Sequence, residues 1–191
     1  MKKLNIFILL IAIVFIGCER DDICAESTPT TPRLRIEFYD ATSQEDLKSV
    51  PRLTVYGEGL ILDEDGMEIE PIVVSNKTII FNSNQNTVDL PLRIDDDIEE
   101  ERTITRFILE KDTNLRLDTE NPETSNVDII EISYIPKFKY VSRACGYKSI
   151  FTDVEVTLDT NNDSDTWISN NIAVDIRDVE NENEIHVRIF H

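Results

Sequence analysis

Glycine and histidine are scarce in this chain, and their scarcity excludes several kinds of site. Five glycines among 191 residues leave little material for phosphate-binding loops, and the chain has neither a P-loop nor a dinucleotide-binding glycine pattern. The two histidines are His186 and His191. No HExxH or CxxC motif is present, and no motif ties either histidine to a nucleophile. Because the sequence shows no catalytic constellation, we expect a protein that is not an enzyme.

Basic residues are also few. The chain has 19 Lys and Arg against 38 Asp and Glu, which gives a formal net charge of −19. Such a polyanion is repelled by nucleic acid and by anionic lipid head groups. We therefore expect no nucleic-acid partner; the ionic partners that fit are cations and basic protein surfaces. The alternative, which is favoured, is that the charge mainly keeps the protein soluble.

Only one long apolar run is present. Residues 4–16 are apolar apart from Asn5 and follow the short basic stretch 1–3. These thirteen residues are fewer than the roughly 20 that a transmembrane helix needs. A small residue, Gly17, ends the run. The pattern predicts a signal peptide over residues 1–17 that is cleaved, rather than a membrane-spanning helix.

Gly17 and Cys18 together resemble the lipobox of bacterial lipoproteins. The resemblance implies that the thiol of Cys18 is lipidated and that Cys18 becomes the first residue of the mature chain. Phe15 stands where this family usually has leucine. Two or more acyl chains anchor a protein stably, whereas one chain holds it only marginally. The alternative is that Cys18 belongs to an uncleaved segment or to a disulfide.

Three acidic residues, Glu19, Asp21 and Asp22, follow Cys18 and are interrupted by Arg20. They resemble the signal that exports Bacteroidota-type lipoproteins to the outer-membrane surface. We therefore expect a lipid-anchored outer-membrane protein, with the cell surface favoured over the periplasmic face. The alternative is that these residues are a solvated tether.

Two further cysteines, Cys24 and Cys145, remain. Outside the cytoplasm, an even pair in a cysteine-poor chain predicts a disulfide. It would close a loop of about 120 residues and stabilise the fold by roughly 4–5 kcal/mol in the chain-entropy model. Two free buried thiols, or Cys145 acting as a nucleophile, are the alternatives; a cysteine nucleophile needs a base nearby.

Residues 18–32 are predicted to be a lipidated N-terminal tether, and residues 33–191 a single domain. Apolar residues alternate with polar ones over 34–39 and 127–135, a period of two that indicates strands. The other predicted strands are 53–56, 60–62, 71–74, 77–81, 87–94, 102–109, 154–158, 172–176 and 185–190. No long segment has a helical period, and a single helical turn is expected near 163–169. About nine to eleven short strands predict an all-β sandwich.

Oxygen-bearing side chains occupy alternate positions of the stretch 159–165, as in the first half of a calcium loop. They are Asp159, Asn161, Asp163 and Asp165. An EF-hand would need glycine at the sixth position and glutamate at the twelfth, where this chain has Ser164 and Asn170. An acidic turn is therefore favoured over a looser calcium site, and no other cofactor is expected.

Three further features of the sequence are candidate sites. Trp167 could stack on a sugar, although a lone tryptophan is more often a core or lid residue. The acidic run 95–101 indicates a solvated turn, since carboxylates on one turn cannot flank a sugar as a glycosidase pair does. His186 and Arg188 share one strand face and are expected to face solvent.

Four stretches resemble a family of uncharacterised flavobacterial lipoproteins, known as a domain of unknown function. They are residues 18–24 (CERDDIC), 28–32 (TPTTP), 36–40 (IEFYD) and 142–148 (SRACGYK). The resemblance covers most of the mature chain and implies a lipoprotein, without implying an activity or a catalytic residue.

The expected function is a non-catalytic protein-interaction or envelope-structural module. Its partners would be the membrane, through the lipid anchor, and another envelope protein. The alternative is a carbohydrate- or calcium-binding accessory domain with its site near Asp159 and Trp167. A hydrolase ranks last because no catalytic constellation supports it.

Overall fold

A computed structural model describes residues 23, 24, 28, 30–94, 101–120, 124–161 and 165–191. Cys18, Glu19, Asp21 and Asp22 lie outside the described residues. The acidic stretch 95–100 and Asp163 also lie outside them. None of the helices in the described part of the chain is long and apolar enough to cross a membrane.

Within these residues the chain forms nine β-strands and one short helix. They are β1 (Leu34–Tyr39), β2 (Val50–Gly57), β3 (Thr78–Gln85), β4 (Thr87–Leu90), β5 (Thr103–Lys111), α1 (Thr113–Leu117), β6 (Asn126–Ser142), β7 (Gly146–Leu158), β8 (Ile172–Val174) and β9 (Val187–Phe190). One sheet has the order β4-β1-β9-β8 and the other the order β3-β2-β5-β6-β7. The two sheets pack together, so the predicted β-sandwich is confirmed.

The core lies between the two sheets and follows from the alternation of side chains along each strand. On β1, Leu34, Ile36 and Phe38 are completely buried. Across from them, the buried residues of β6 include Ile130 and Ile132. Burying one such side chain stabilises the fold by about 1.5–3 kcal/mol. β1 also pairs in parallel with β9, so strands from the two ends of the domain lie side by side.

The single helical turn expected near 163–169 is wrong for the described part of that stretch, because residues 165–169 form no helix. Helix α1 lies instead in the polar segment between the predicted strands 102–109 and 127–135. It begins after Asp112, whose left-handed backbone (φ 57°, ψ 40°) turns the chain away from β5. Its buried Thr113 donates a hydrogen bond to the hydroxyl of Thr54, 2.8 Å away.

Strands β6 and β7 are longer than the sequence predicts, with 17 and 13 residues. Pro136 lies in the middle of β6, where a strand interior would normally lack proline. The pairing between β5 and β6 ends at Thr103 and Tyr134. Beyond Tyr134, the side of β6 that pairs with β5 has no further partner in β5. Proline lacks a backbone N–H, and at this position no backbone hydrogen bond to β5 is lost. Sequence pattern alone could not reveal where that pairing ends.

The segments 60–62 and 71–74, both predicted as strands, are not strands in the structure. Their stretch of chain contains an isolated bridge between Leu62 and Glu68. These residues belong to a connection between β2 and β3, residues 58–77, which we call the β2–β3 loop.

Candidate functional site

The β2–β3 loop exposes an unusual amount of apolar surface. Seven of its large apolar side chains are exposed: Leu60, Leu62, Met67, Ile69, Ile72, Val73 and Val74. Six acidic side chains lie in the same loop: Glu58, Asp63, Glu64, Asp65, Glu68 and Glu70. Contiguous exposed apolar surface with a polar rim is typical of a protein-interaction site rather than of an inert surface.

The tip of the loop is held in a defined turn. The carboxylate of Asp63 accepts hydrogen bonds from the backbone N–H groups of Asp65 (2.9 Å) and Met67 (2.8 Å). The N–H of Asp63 donates to the carbonyl of Met67 at 2.9 Å. Gly66 takes a positive φ of 79°, which glycine adopts without the penalty that a Cβ would bring. These hydrogen bonds and the backbone of Gly66 hold residues 63–67 in a tight turn.

One arginine fixes the loop to the five-stranded sheet. Arg116 of α1 donates a hydrogen bond to the carbonyl of Pro71 at 2.9 Å, and Pro71 is buried. The same guanidinium binds both carboxylate oxygens of Glu110. The pKa of Arg116 is raised, mainly by its hydrogen bonds to Glu110. The loop is therefore anchored at Pro71 and exposed on both sides of it.

Two cavities lie beside the loop. The first, of about 650 Å³, is lined by Tyr56 and Ile108 of the sheet and by Ile69 and Ile72 of the loop. Burial, followed by the nearby carboxylate of Glu110, raises the pKa of Tyr56. The loop therefore covers this face of the sheet without filling the space above it.

The second cavity, of about 640 Å³, lies at the base of the loop. Its apolar lining includes Leu60, Ile79, Leu92 and Phe107. A cleft of this size, apolar with a few charged groups at its margin, could receive a side chain or a short segment of another molecule.

Asp159 is the first residue of the predicted calcium stretch. It shares the guanidinium of Arg106 with two other carboxylates. Arg106 donates hydrogen bonds to the carboxylates of Glu58 (2.5 Å), Glu131 (3.1 Å) and Asp159 (2.5 Å). These hydrogen bonds raise the pKa of Arg106. The backbone N–H of Asn161, then Arg106, lowers the pKa of Asp159.

Of the other predicted calcium ligands, Asn161 contacts Asp159, since its backbone N–H donates to that carboxylate at 3.0 Å. Asn161 and Asp165 are exposed, and Asp163 lies outside the described residues. Among described residues, no group of three or more His, Cys, Asp or Glu side chains is arranged to hold a metal ion.

Trp167 lies at the edge of the core. Its indole N–H donates to the carbonyl of Leu109 at 3.3 Å. Its ring centroid lies 6.2 Å from that of Phe38 and 5.5 Å from that of His191. The half-buried ring therefore packs against core residues, rather than standing out as an open stacking platform.

The expectation that His186 faces solvent is wrong: only 1% of the residue is exposed. β9 begins at Val187, so the alternation assumed for residues 185–190 does not reach His186. The backbone N–H of Arg35 donates to Nδ1 of His186 at 2.9 Å, and burial lowers the pKa of the imidazole. Arg188 does reach the surface, where it binds both carboxylate oxygens of Asp175.

Cys24 and Cys145 form a disulfide, which confirms that prediction. The two cysteines are 121 positions apart in sequence. The bond joins the segment before β1 to the turn between β6 and β7, which spans residues 143–145. Because both sulfur atoms are bonded, the two alternatives, a pair of free thiols and a nucleophilic Cys145, do not apply to this structure.

Sequence reasoning missed the exposure of the β2–β3 loop. It assigned residues 71–74 to a strand because Ile72, Val73 and Val74 have high strand propensity. The available signal was the lack of alternation: three consecutive apolar side chains cannot all lie on one buried face of a strand.

The family of unknown function DUF6452 matches residues 53–191. The matched region runs from within β2 to β9, and it contains the β2–β3 loop and Cys145. Comparison with curated proteins and with solved structures gave no match. Since the match covers most of its length, the chain belongs to the family of unknown function DUF6452.

Proposed function

We propose that this protein is a lipid-anchored outer-membrane module, without enzymatic activity, that binds another envelope protein through its β2–β3 loop. The observation that carries the proposal is the run Ile72, Val73 and Val74, whose residues are 71%, 64% and 73% exposed. All three favour strands, yet none belongs to a strand. An extended segment of a partner would bury these side chains and supply the missing backbone pairing.

The charge of the loop indicates the chemistry of the partner. Six carboxylates lie in the loop, and its single basic residue is Lys77. A partner with an apolar groove and a basic rim would bury the loop without leaving like charges facing each other. The chain therefore fits a basic envelope protein better than another acidic one.

The proposed anchor would hold the domain close to a membrane. Cys18 is the proposed lipid-acceptor residue, and Glu19, Asp21 and Asp22 the proposed export signal. The five residues from Glu19 to Ile23 span at most about 18 Å. Because the disulfide at Cys24 fixes the next residue to the domain, the domain is held near the bilayer, and its partner is local. The resemblance to flavobacterial lipoproteins supports the same placement.

Photo-crosslinking in intact cells tests the proposal. A crosslinking amino acid at Met67 and one at Val73 should capture the same envelope protein, identified by mass spectrometry. Val73→Asp should abolish the capture from Met67. A matched control is Leu47→Asp, which alters another exposed apolar side chain (51% exposed) and should leave capture unchanged.

Two results would refute a docking role for the loop. The first is that the crosslinkers at Met67 and Val73 capture unrelated proteins. The second is that Val73→Asp and Leu47→Asp reduce the crosslinked capture from Met67 equally. Protease treatment of intact cells tests the orientation separately, because complete protection of the domain would contradict display at the cell surface.

A carbohydrate- or calcium-binding accessory domain is the second hypothesis, and it has less support. The carboxylate of Asp159 is engaged by Arg106, and the ring of Trp167 packs against Phe38 and His191. Glycan-array binding that disappears with Trp167→Ala would favour it, as would a melting temperature that rises in millimolar calcium. A hydrolase remains the third hypothesis.

A further inference from the structure

The distal part of the β6–β7 hairpin, residues 136–152, reverses the charge of the rest of the chain. It contains four basic residues and no acidic residue, although the whole chain has a formal charge of −19. The basic residues are Lys137, Lys139, Arg143 and Lys148. This local cluster can therefore meet an anionic surface that would repel the remainder of the molecule.

Exposed aromatic side chains occupy one face of the same hairpin. Phe138, Tyr140 and Tyr147 are 44%, 54% and 68% exposed. Phe138 and Tyr140 alternate along β6 and so lie on one face. Tyr140 pairs with Tyr147 across the hairpin, and their ring centroids are 5.4 Å apart.

The basic side chains occupy the other face. Lys137 and Lys139 alternate with Phe138 and Tyr140, and Lys139 pairs with Lys148. The hairpin is thus aromatic on one face and cationic on the other. Tyrosine and phenylalanine favour the boundary between lipid head groups and acyl chains, and long lysine side chains can extend from the other face to the phosphates.

The hairpin also contacts the segment between β8 and β9. Beyond Tyr134, β6 pairs with β7 but no longer with β5. Lys139 forms an ion pair with Glu180 at 2.5 Å, and the ammonium group of Lys148 donates to the carbonyl of Glu180 at 2.6 Å. These contacts tie the hairpin to the segment between β8 and β9.

The disulfide brings the hairpin to the proposed anchor. Cys145 lies in the turn of the hairpin and is bonded to Cys24, six positions after Cys18. Six residues of extended chain span at most about 20 Å. Ile23, which precedes the disulfide, is 83% exposed and adds an apolar side chain at this end of the domain.

We infer that the tip of the β6–β7 hairpin is a second membrane contact, which binds anionic phospholipid beside the lipid anchor. Its aromatic side chains lie at the interface of the bilayer, and the exposed Lys137 and Arg143 reach the lipid phosphates. This contact orients the domain, whereas a lipid anchor alone would leave it free to rotate. The inference rests on the proposed anchor at Cys18.

Tryptophan quenching by brominated lipid tests the contact in the full chain. The reporter is Tyr147→Trp in a Trp167→Phe background, since Trp167 is the one native tryptophan. The matched control is Leu47→Trp in the same background. Leu47 pairs with Tyr39, at the end of β1 away from the Cys24 segment. The proteins are reconstituted into vesicles of phosphatidylcholine with and without phosphatidylglycerol.

Three results are expected for the hairpin reporter. Quenching should be strong at position 147 and absent at position 47. It should fall to the control level when phosphatidylglycerol is omitted. It should fall to the same level when Lys137→Glu and Arg143→Glu are added.

The wild-type protein gives an independent measurement. Acetylation of the exposed Lys137 in vesicles should be lower than in detergent, whereas acetylation of the exposed Lys77 should be equal in both. This labelling needs no substitution, so it decides the question even if Trp167→Phe destabilises the fold.

Flotation of the vesicles separates failure of the anchor from failure of the contact. If the protein floats but shows neither quenching nor protection of the lysine from acetylation, it has an anchor and no hairpin contact with lipid. The same result is expected if the hairpin binds a protein partner instead. Protein that does not float refutes both the anchor and the contact. Quenching that is independent of lipid charge refutes the role of the basic residues.

Discussion

Arg116 binds both carboxylate oxygens of Glu110, with Nε to Oε1 at 2.6 Å and Nη2 to Oε2 at 2.8 Å. Glu110 belongs to β5 and is completely buried. Arg116 belongs to α1 and also holds the carbonyl of Pro71 in the β2–β3 loop. One side chain therefore connects the five-stranded sheet, the helix and the proposed docking loop.

Arg116→Met should destabilise the protein strongly. It removes the cation but leaves the carboxylate of Glu110 buried without its partner, a change that typically costs about 3–5 kcal/mol. Urea denaturation of wild type and variant should show this as a lower midpoint. Hydrogen exchange should also become faster in the β2–β3 loop, since its attachment at Pro71 is lost.

Two controls separate the buried pair from a general loss of charge. Arg177→Met removes a mostly exposed arginine that pairs with Glu155, and it should change the free energy of unfolding by less than about 0.5 kcal/mol. Adding Glu110→Leu to Arg116→Met should recover much of the loss, because no buried charge remains. Equal effects of Arg116→Met and Arg177→Met would contradict the importance of the pair.

Cys24→Ser and Cys145→Ser should each remove the stabilisation of the disulfide, and the double variant should be no less stable than either. In the chain-entropy model the loss is about 4–5 kcal/mol for a loop of this length, with measured values often smaller. For a domain of this size that corresponds to a fall in melting temperature of roughly 10 °C. Calorimetry measures the loss, and non-reducing mass spectrometry verifies the bond. A melting temperature that is unchanged in both single variants would contradict it.

The features that the sequence predicted correctly depend on a local pattern of residues or on the number of cysteines. The alternation of Leu34, Ile36 and Phe38 suffices to predict β1, because burial of one face imposes a period of two. The disulfide was predictable because Cys24 and Cys145 were the two cysteines left after Cys18. Neither inference needed to know which strands are neighbours.

The features that the sequence missed depend on neighbours distant in the chain. Pro136 lies inside a long strand because the pairing of β6 with β5 stops just before it. His186 is buried beside Arg35, which is 151 positions away and whose backbone N–H donates to the imidazole ring. The lack of alternation over residues 72–74 argues against a strand with one buried face, but it does not show that Val73 is exposed.

The stability of the protein should fall as the pH drops from 7 towards 5.5. Burial lowers the pKa values of His186 and His191 in the folded state. The unfolded chain takes up protons near pH 6.5 while the folded chain still resists protonation. The unfolded state then binds more protons, so the free energy of unfolding decreases as the pH falls. Urea titrations at closely spaced pH values measure the slope.

A variant without titrating imidazoles is the control for this slope. His186→Asn retains an acceptor for the N–H of Arg35, and His191→Gln retains a donor near the carbonyl of Lys48. The double variant should have a nearly flat stability between pH 7 and 5.5, because most carboxylates titrate at lower pH. An unchanged slope in the double variant would assign the pH dependence to groups other than these histidines.

Arg106→Gln should make the stability of the protein depend on salt. In the wild type, one guanidinium lies among the carboxylates of Glu58, Glu131 and Asp159. Removing the positive charge leaves three negative charges close together at a half-exposed site, so we expect a loss of about 1–2 kcal/mol at low ionic strength. Salt screens this repulsion, and added sodium chloride should therefore restore part of the loss in the variant and little in the wild type. Arg35→Gln is the matched control, because Arg35 pairs with the single carboxylate of Asp89 and its removal creates no such cluster. If both variants respond to salt equally, the three carboxylates do not act together on Arg106.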